Sequence, residues 1–368
     1  MKEIVMYGCG SCGDKFMLKH KNEISYCIDN SGIKSFGGKA VFLFEEKKAA
    51  LNGVYIVVTI ENWNVYKAIS KELNSIGLVE FEDFVWYKYY NKKLAFIWGN
   101  CHMHCISDYL SYNKEFNEEY GIIKFQEAYM CENPDEWIHT LNNVDLFISQ
   151  DIRKENSLGE KHSVGYLEQY LKPDCQKIIV PNLFGMPKFM FPQTYFDDDY
   201  MSYEGIMEWY KDRYIDEYVE KNKGCKVDDI LNYIKSKKFE EKLLDDGYHE
   251  FMHRLRERET SCDIKISDFI EENLSKEQLF IDVRHPSVFV LQEMANRIIK
   301  FLGYRVNPLY DDLKFEYGHE VPIYDGVKSH YKMYWEQQAL KRNNATDKIE
   351  NIYMDLEEYI TQYLCIYK

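Results

Sequence analysis

Short apolar runs closed by glycine, asparagine or proline alternate along this chain with stretches whose apolar residues recur every three or four positions. The first pattern is that of buried strands and the second that of amphipathic helices, so the chain is predicted to be α/β with parallel sheets. Strands are predicted over residues 2–7, 24–28 and 54–60, with helices over 14–21 and 64–76. The same grammar restarts with a strand over 93–98, a sharp Gly99-Asn100-Cys101 turn and a helix over 102–110, where Ile106 and Leu110 share one face. Further strands are predicted over 144–149 and 177–180, the latter stopped by Pro181-Asn182. A charged, Tyr- and Lys-rich stretch over 197–263 has helical periodicity, and its charge runs read as a solvated face. Strand grammar returns over 278–282 and leads through a turn into a strong amphipathic helix over 287–302. Tyr353, Leu356, Tyr359, Ile360 and Tyr363 recur at helical spacing near the end.

These elements predict a Rossmann-like domain over 1–91, a second α/β domain over 92–303 with a helical insertion or lid at 197–263, and a helical C-terminal tail over 304–368. Hydrophobic residues make up 45% of the 368, enough for a core, and the formal charge of −15 argues against a sequence-wide grip on nucleic-acid phosphates. The longest apolar runs are strand-length, so no transmembrane segment is expected. The glycine loop begins too early for a secretory leader, and the ten sparse cysteines fit a reduced, cytoplasmic protein. Neither Cys9/Cys12 nor Cys101/Cys105 has the second pair or His spacing of a zinc site, so no metal is predicted. The oligomeric state is open, a homo-oligomer included.

Gly8, Gly10 and Gly13 form a G-x-G-x-x-G loop between a predicted strand and helix, where backbone amides can approach a pyrophosphate. Asp29 closes the next strand, where an acid can bond a ribose hydroxyl, so a nucleotide is a candidate ligand here. The segment resembles the small Rossmann-like N-terminal domains found on many bacterial surface-sugar biosynthesis proteins.

The second turn carries sharper chemistry. Cys101 opens a helix, where the N-terminus favours a thiolate and offers N–H groups to an oxyanion. Asp282-Val283-Arg284-His285 is a D-x-x-H turn, in which the carboxylate can hold one ring nitrogen while the other faces outward as a base. Cys101, His285 and Asp282 thus supply nucleophile, base and orienter, with Gly99 and Asn100 shaping the turn. Gln150, at the end of a predicted strand, is a candidate oxyanion donor, and Asn182 is a weaker polar candidate. The layout resembles serine hydrolases of the SGNH or GDSL type, with Gly-Asn-Cys in place of Gly-Asp-Ser. Cysteine suits exchange of acyl groups with a thioester donor.

Gly99-Asn100-Cys101, the 145–150 and 178–182 strands with Pro187 and Pro192 after them, and Leu279-Phe280 through His285-Pro286-Ser287 occur in the order that is similar to the WcbI family. The resemblance spans residues 93–303 and implies capsular-polysaccharide biosynthesis, coenzyme A binding and acetyl transfer to polysaccharide. One position departs: family members usually follow Gly-Asn-Cys with Gln, and here stands His102, which must replace that Gln through its ring nitrogens or act as a second base. Coenzyme A phosphates need local positive charge, for which Arg153 and Lys161 are candidates, with Lys154 and the Arg254/Arg256/Arg258 cluster behind them. Tyr195, Tyr200, Tyr203, Trp209 and Tyr210 are clustered enough to line a sugar groove, although an AT-rich genome also supplies such residues. The expected reaction is transfer from coenzyme A or acetyl-coenzyme A to a sugar or polysaccharide hydroxyl. An esterase or thioesterase using water, and a non-catalytic binding protein, are the alternatives.

Overall fold

A computed structural model describes residues 2–183, 187–195, 211–306, 320–335, 337, 340–345 and 349–367. Two sheets organise it. The first contains β1 (Glu3–Tyr7), β2 (Ile24–Ile28), β3 (Ser35–Phe36), β4 (Lys39–Phe42), β5 (Val54–Val58) and β6 (Phe84–Trp86), in the order β3-β4-β2-β1-β5-β6. Its neighbours are parallel except for the β3–β4 pair. Helices α1 (Ser11–His20) and α2 (Trp63–Ser75) follow β1 and β5.

The second sheet holds β7 (Lys93–Trp98), β8 (Tyr120–Ile122), β9 (Leu146–Gln150) and β10 (Gln176–Val180), in the order β10-β9-β7-β8, all parallel. Ile97 stands opposite Ile148, Trp98 opposite Ser149, and Gln150 opposite Val180. The carboxyl ends of β7, β9 and β10 therefore lie side by side, and the chain leaves them at Gly99, Asp151 and Pro181. Ligand sites of parallel sheets collect at such an edge.

Alternation along β7 ties the two sheets together. Ala95 and Ile97 enter a core shared with the helices that follow, whereas Leu94, Phe96 and Trp98 enter a core shared with the first sheet. Between residues 211 and 263 the expected helices are α4 (Arg213–Lys221), α5 (Val227–Ser236) and α6 (Glu241–Glu259). They bury Ile215, Ile230, Ile234, Leu244, Phe251, Met252 and Leu255 in the same core as β7 and β9. The described part of the stretch joins that core through an apolar stripe, with its charges outward.

Helix α3 (Cys101–Tyr112) packs against α7 (Val288–Phe301). Met103, Ile106 and Leu110 on one side, and Val290, Leu291, Met294, Ala295 and Ile298 on the other, are buried in one cluster. Each such large aliphatic side chain contributes about 1.5–3 kcal/mol. The packing fixes where the loop before α7 sits.

Two expectations change. The 278–282 run is not a strand, and only an isolated Phe280–Pro286 bridge forms. Asp282 is fully buried, and its Oδ1 accepts the backbone N–H groups of Arg284 (2.6 Å) and His285 (2.7 Å). The Ile281 N–H is donated to the His285 carbonyl at 3.0 Å. A local turn thus takes groups that a sheet would have paired. In the tail, α8 (Leu356–Tyr367) is helical as expected, but Tyr353 belongs to an antiparallel hairpin of β11 (Leu340–Ala345) and β12 (Ile349–Met354), opposite Lys341. Three-residue spacing does not by itself exclude a strand. No helix among the described residues is long and apolar enough to cross a membrane. Of the aromatic cluster, Tyr200, Tyr203, Trp209 and Tyr210 lie outside the described residues, as does the side chain of Tyr195.

Candidate active site

Strand β7 ends at Gly99, whose φ of +155° and crowded surroundings exclude a side chain. A Cβ there would lie 2.4 Å from Met103 Cγ and 2.7 Å from Gln150 Oε1. Gly99→Ala is expected to destabilise the protein by about 2–3 kcal/mol. A thermal unfolding midpoint within about a degree of the parent would refute this. Asn100 then caps α3, its side-chain oxygen accepting the His102 N–H at 3.0 Å. Cys101 is the first helical residue, half-buried and a free thiol.

Packing of α3 on α7 brings the D-x-x-H turn to this thiol. Cys101 Sγ and one ring nitrogen each of His102 and His285 lie within 4.8 Å of one another. His285 Nδ1 donates to Asp282 Oδ2 at 2.8 Å. Its side chain is 21% exposed, whereas Asp282 is sealed beneath it at 1%. Burial works against a charged imidazole, but hydrogen bonds with Asp282 and Cys101 outweigh it and raise the His285 pKa from 6.5 to about 10. His102 behaves in the opposite way. Burial, and then the neighbouring His285, push its pKa down to about 3, so it is neutral at pH 7. Its Nε2 donates to the Arg284 carbonyl at 3.0 Å, and the two imidazoles meet edge to face at 5.9 Å.

Gln150 ends β9 next to this turn. Its Oε1 accepts the Asn100 N–H at 2.9 Å, which fixes the amide so that Nε2 is a buried atom with no partner among the described residues. The expectation that helix amides would serve an oxyanion is thereby narrowed. The N–H groups of Asn100, His102 and Met103 are already bonded, to Gln150, Asn100 Oδ1 and the Asn100 carbonyl.

A groove of about 490 Å³ opens beside the turn, lined by Asn100, Tyr129, Gln150, Arg153, Asn182 and Arg258 among others. Arg153 is where a phosphate contact was expected, with its Nε donating to Asp151 at 3.0 Å. Lys161 is paired with Asp135 and is not among the groove residues. In the arginine cluster, Arg254 pairs with Glu250 and Arg256 with Glu271, while Arg258 turns inward and donates to the Asn182 carbonyl. Tyr129, on a loop after β8, carried no signal in the sequence beyond being an aromatic residue.

The N-terminal glycine loop joins β1 to α1 as the sequence predicts. Gly13 lets α1 approach β1, since a Cβ there would lie 2.5 Å from the Gly8 carbonyl, and Gly8 has φ +110°. Gly10 is the N-cap of α1 with open space around it. Asp29, the candidate for a ribose contact, accepts the N–H of Cys9 at 2.7 Å and of Ser31 at 2.8 Å, so one loop amide is bonded to the end of β2.

The sequence profile of the family described as "Polysaccharide biosynthesis enzyme WcbI" matches residues 94–307. A solved structure of WcbI, a polysaccharide biosynthesis enzyme in its native form without a disulfide bond between coenzyme A and a cysteine, is also similar. It is 18% identical with a TM-score of 0.56, and the match covers 74% of this chain and 88% of that one. At this identity the likeness concerns the fold. No curated protein matches the chain.

Proposed function

Because the chain belongs to the WcbI family of polysaccharide biosynthesis enzymes, we propose that it transfers an acyl group, acetyl in the simplest case, from a coenzyme A thioester to a sugar hydroxyl. The observation that carries this reading is the cysteine thiol beside His285, whose far nitrogen is held by a sealed carboxylate. That is the order of groups in an SGNH-type site, with sulfur as nucleophile. The similar solved protein, described in terms of coenzyme A and a cysteine, supports the choice of donor.

Cys101 attacks the thioester carbonyl after its proton passes to His285. The carbon–sulfur bond to coenzyme A breaks, and the departing thiolate recovers the proton from His285. The sugar hydroxyl then attacks the acyl-cysteine, His285 takes the hydroxyl proton, and the ester leaves as the Cys101 sulfur is released. In both steps the negative oxygen is served by Gln150 Nε2, a buried donor with no other partner among the described residues. Arg153 and Arg258 are the cations lining the adjoining groove, beside Asp151 and Glu155, and are the groups there that can meet coenzyme A phosphates.

The test is release of coenzyme A from acetyl-coenzyme A, with and without sugar acceptors, followed by intact-mass analysis of the protein. The expected result is a 42-dalton acetyl adduct of about one equivalent without acceptor, discharged when acceptor is added. Sustained release into water alone would make the protein a thioesterase, and no release or adduct would make it a binding protein.

A further inference from the structure

We infer that Cys101, His102 and His285 together form a binding site for a thiophilic divalent cation of the zinc class. Such a cation prefers thiolate and imidazole, and these three residues place Sγ and two ring nitrogens within 4.8 Å of one another. Zinc–ligand bonds of about 2.0–2.3 Å put tetrahedral ligands roughly 3.3–3.6 Å apart, so closure asks for side-chain rotations of about an ångström.

The surrounding hydrogen bonds are those that metal-ligating histidines use. Each ring has one nitrogen engaged with an acceptor, which orients it; the other nitrogen of His102 keeps its lone pair, and that of His285, hydrogen-bonded with Cys101, becomes a ligand once its proton leaves. For His285 the acceptor is Asp282 Oδ2 at 2.8 Å, a carboxylate itself pinned by the Arg284 and His285 amides. For His102 it is the Arg284 carbonyl at 3.0 Å. A carbonyl only accepts, so His102 Nε2 carries the hydrogen and Nδ1 is the lone-pair atom. That Nδ1 is buried and has no partner among the described residues. Three protein ligands leave a fourth tetrahedral position for water or a ligand sulfur. On binding, the protons held on Cys101 Sγ and on the outer ring nitrogen of His285 leave to solvent as the sulfur–metal and nitrogen–metal bonds form, and no redox step is involved.

The consequence for activity rests on the function proposed above. A cation bound to Sγ and to the outer nitrogen of His285 displaces the hydrogen bond between them and occupies both groups that acyl transfer needs, so zinc switches the site off and a chelator restores it.

The experiment uses the full chain stripped with a chelator, then titrated with Co²⁺ as a spectroscopic probe and with Zn²⁺ against a chromophoric chelator. The expected result is one equivalent of Co²⁺ with a sulfur-to-cobalt charge-transfer band and tetrahedral visible bands. Cys101→Ser should lose the sulfur band, and His102→Gln should bind zinc roughly 10–100-fold more weakly. Circular dichroism checks that both variants are folded. A Co²⁺ spectrum of the unaltered protein without the sulfur band would overturn the site, whatever the variants do. So would a zinc affinity equal in the folded His102→Gln variant and its parent. Zinc binding in a protein that transfers no acyl group would uphold the site and reject the function. Zinc binding that leaves transfer running would overturn the inhibitory half.

Discussion

Cys101→Ala is expected to lower acyl transfer by about 10⁴-fold or more while coenzyme A binding remains measurable by calorimetry. The size follows from the role: without sulfur there is no covalent intermediate, and the remaining catalysis comes only from the oxyanion donor and from holding the substrates together. Binding survives because the groove with Arg153 and Arg258 lies beside the turn and does not depend on the thiol. The acetyl adduct disappears with the activity. A variant that transfers at the parental rate removes Cys101 from the mechanism.

Asp282→Asn is expected to lower kcat on the order of 10³–10⁴-fold and to change how the protein responds to pH. In the parent, burial opposes the charge on His285, and hydrogen bonds with Asp282 and Cys101 hold its pKa near 10. Between 6.5 and about 10 the folded protein therefore keeps a proton that the unfolded chain has released. The unfolded state binds fewer protons, so this contribution to stability is complete below 6.5, shrinks as pH rises through the window and is gone above about 10. An asparagine supplies no charge, and burial then prevails, so the proton should leave near or below the ordinary pKa. Carbon-labelled histidine NMR would show no His285 titration between about pH 5 and 9 in the parent and a transition there or below in the variant. Denaturant unfolding should show the variant's stability deficit narrowing as pH is raised toward 10. A deficit that stays constant with pH would mean Asp282 acts through packing alone.

Much of the local structure was legible. Predicted strands 24–28 and 93–98 have the limits of β2 and β7, because apolar runs closed by turn residues report burial on both faces. The Asp282–His285 pair was legible for a similar reason, as it is a bond between residues three apart. The same locality misled at 278–282. An apolar run looks like a strand whether or not a sheet edge stands beside it, and here the Asp282 turn used the backbone groups first.

Other features depend on elements that the sequence does not rank. Arg258 looked no different from Arg254 and Arg256, and only the packing of α6 turned it toward Asn182. Lys161 sat near the predicted site in sequence yet faces Asp135.

By itself the sequence determined which turns exist and what chemistry each exposes: a thiol at a helix start, and an imidazole tethered to a carboxylate. Tertiary structure decided that these turns meet, that Gln150 Nε2 lies buried with no partner among the described residues, and that His102 reaches the carbonyl of a residue 182 positions away. Turn chemistry follows from bonds a few residues long. The meeting follows from burial of the facing apolar stripes of α3 and α7, whose pairing no local pattern encodes.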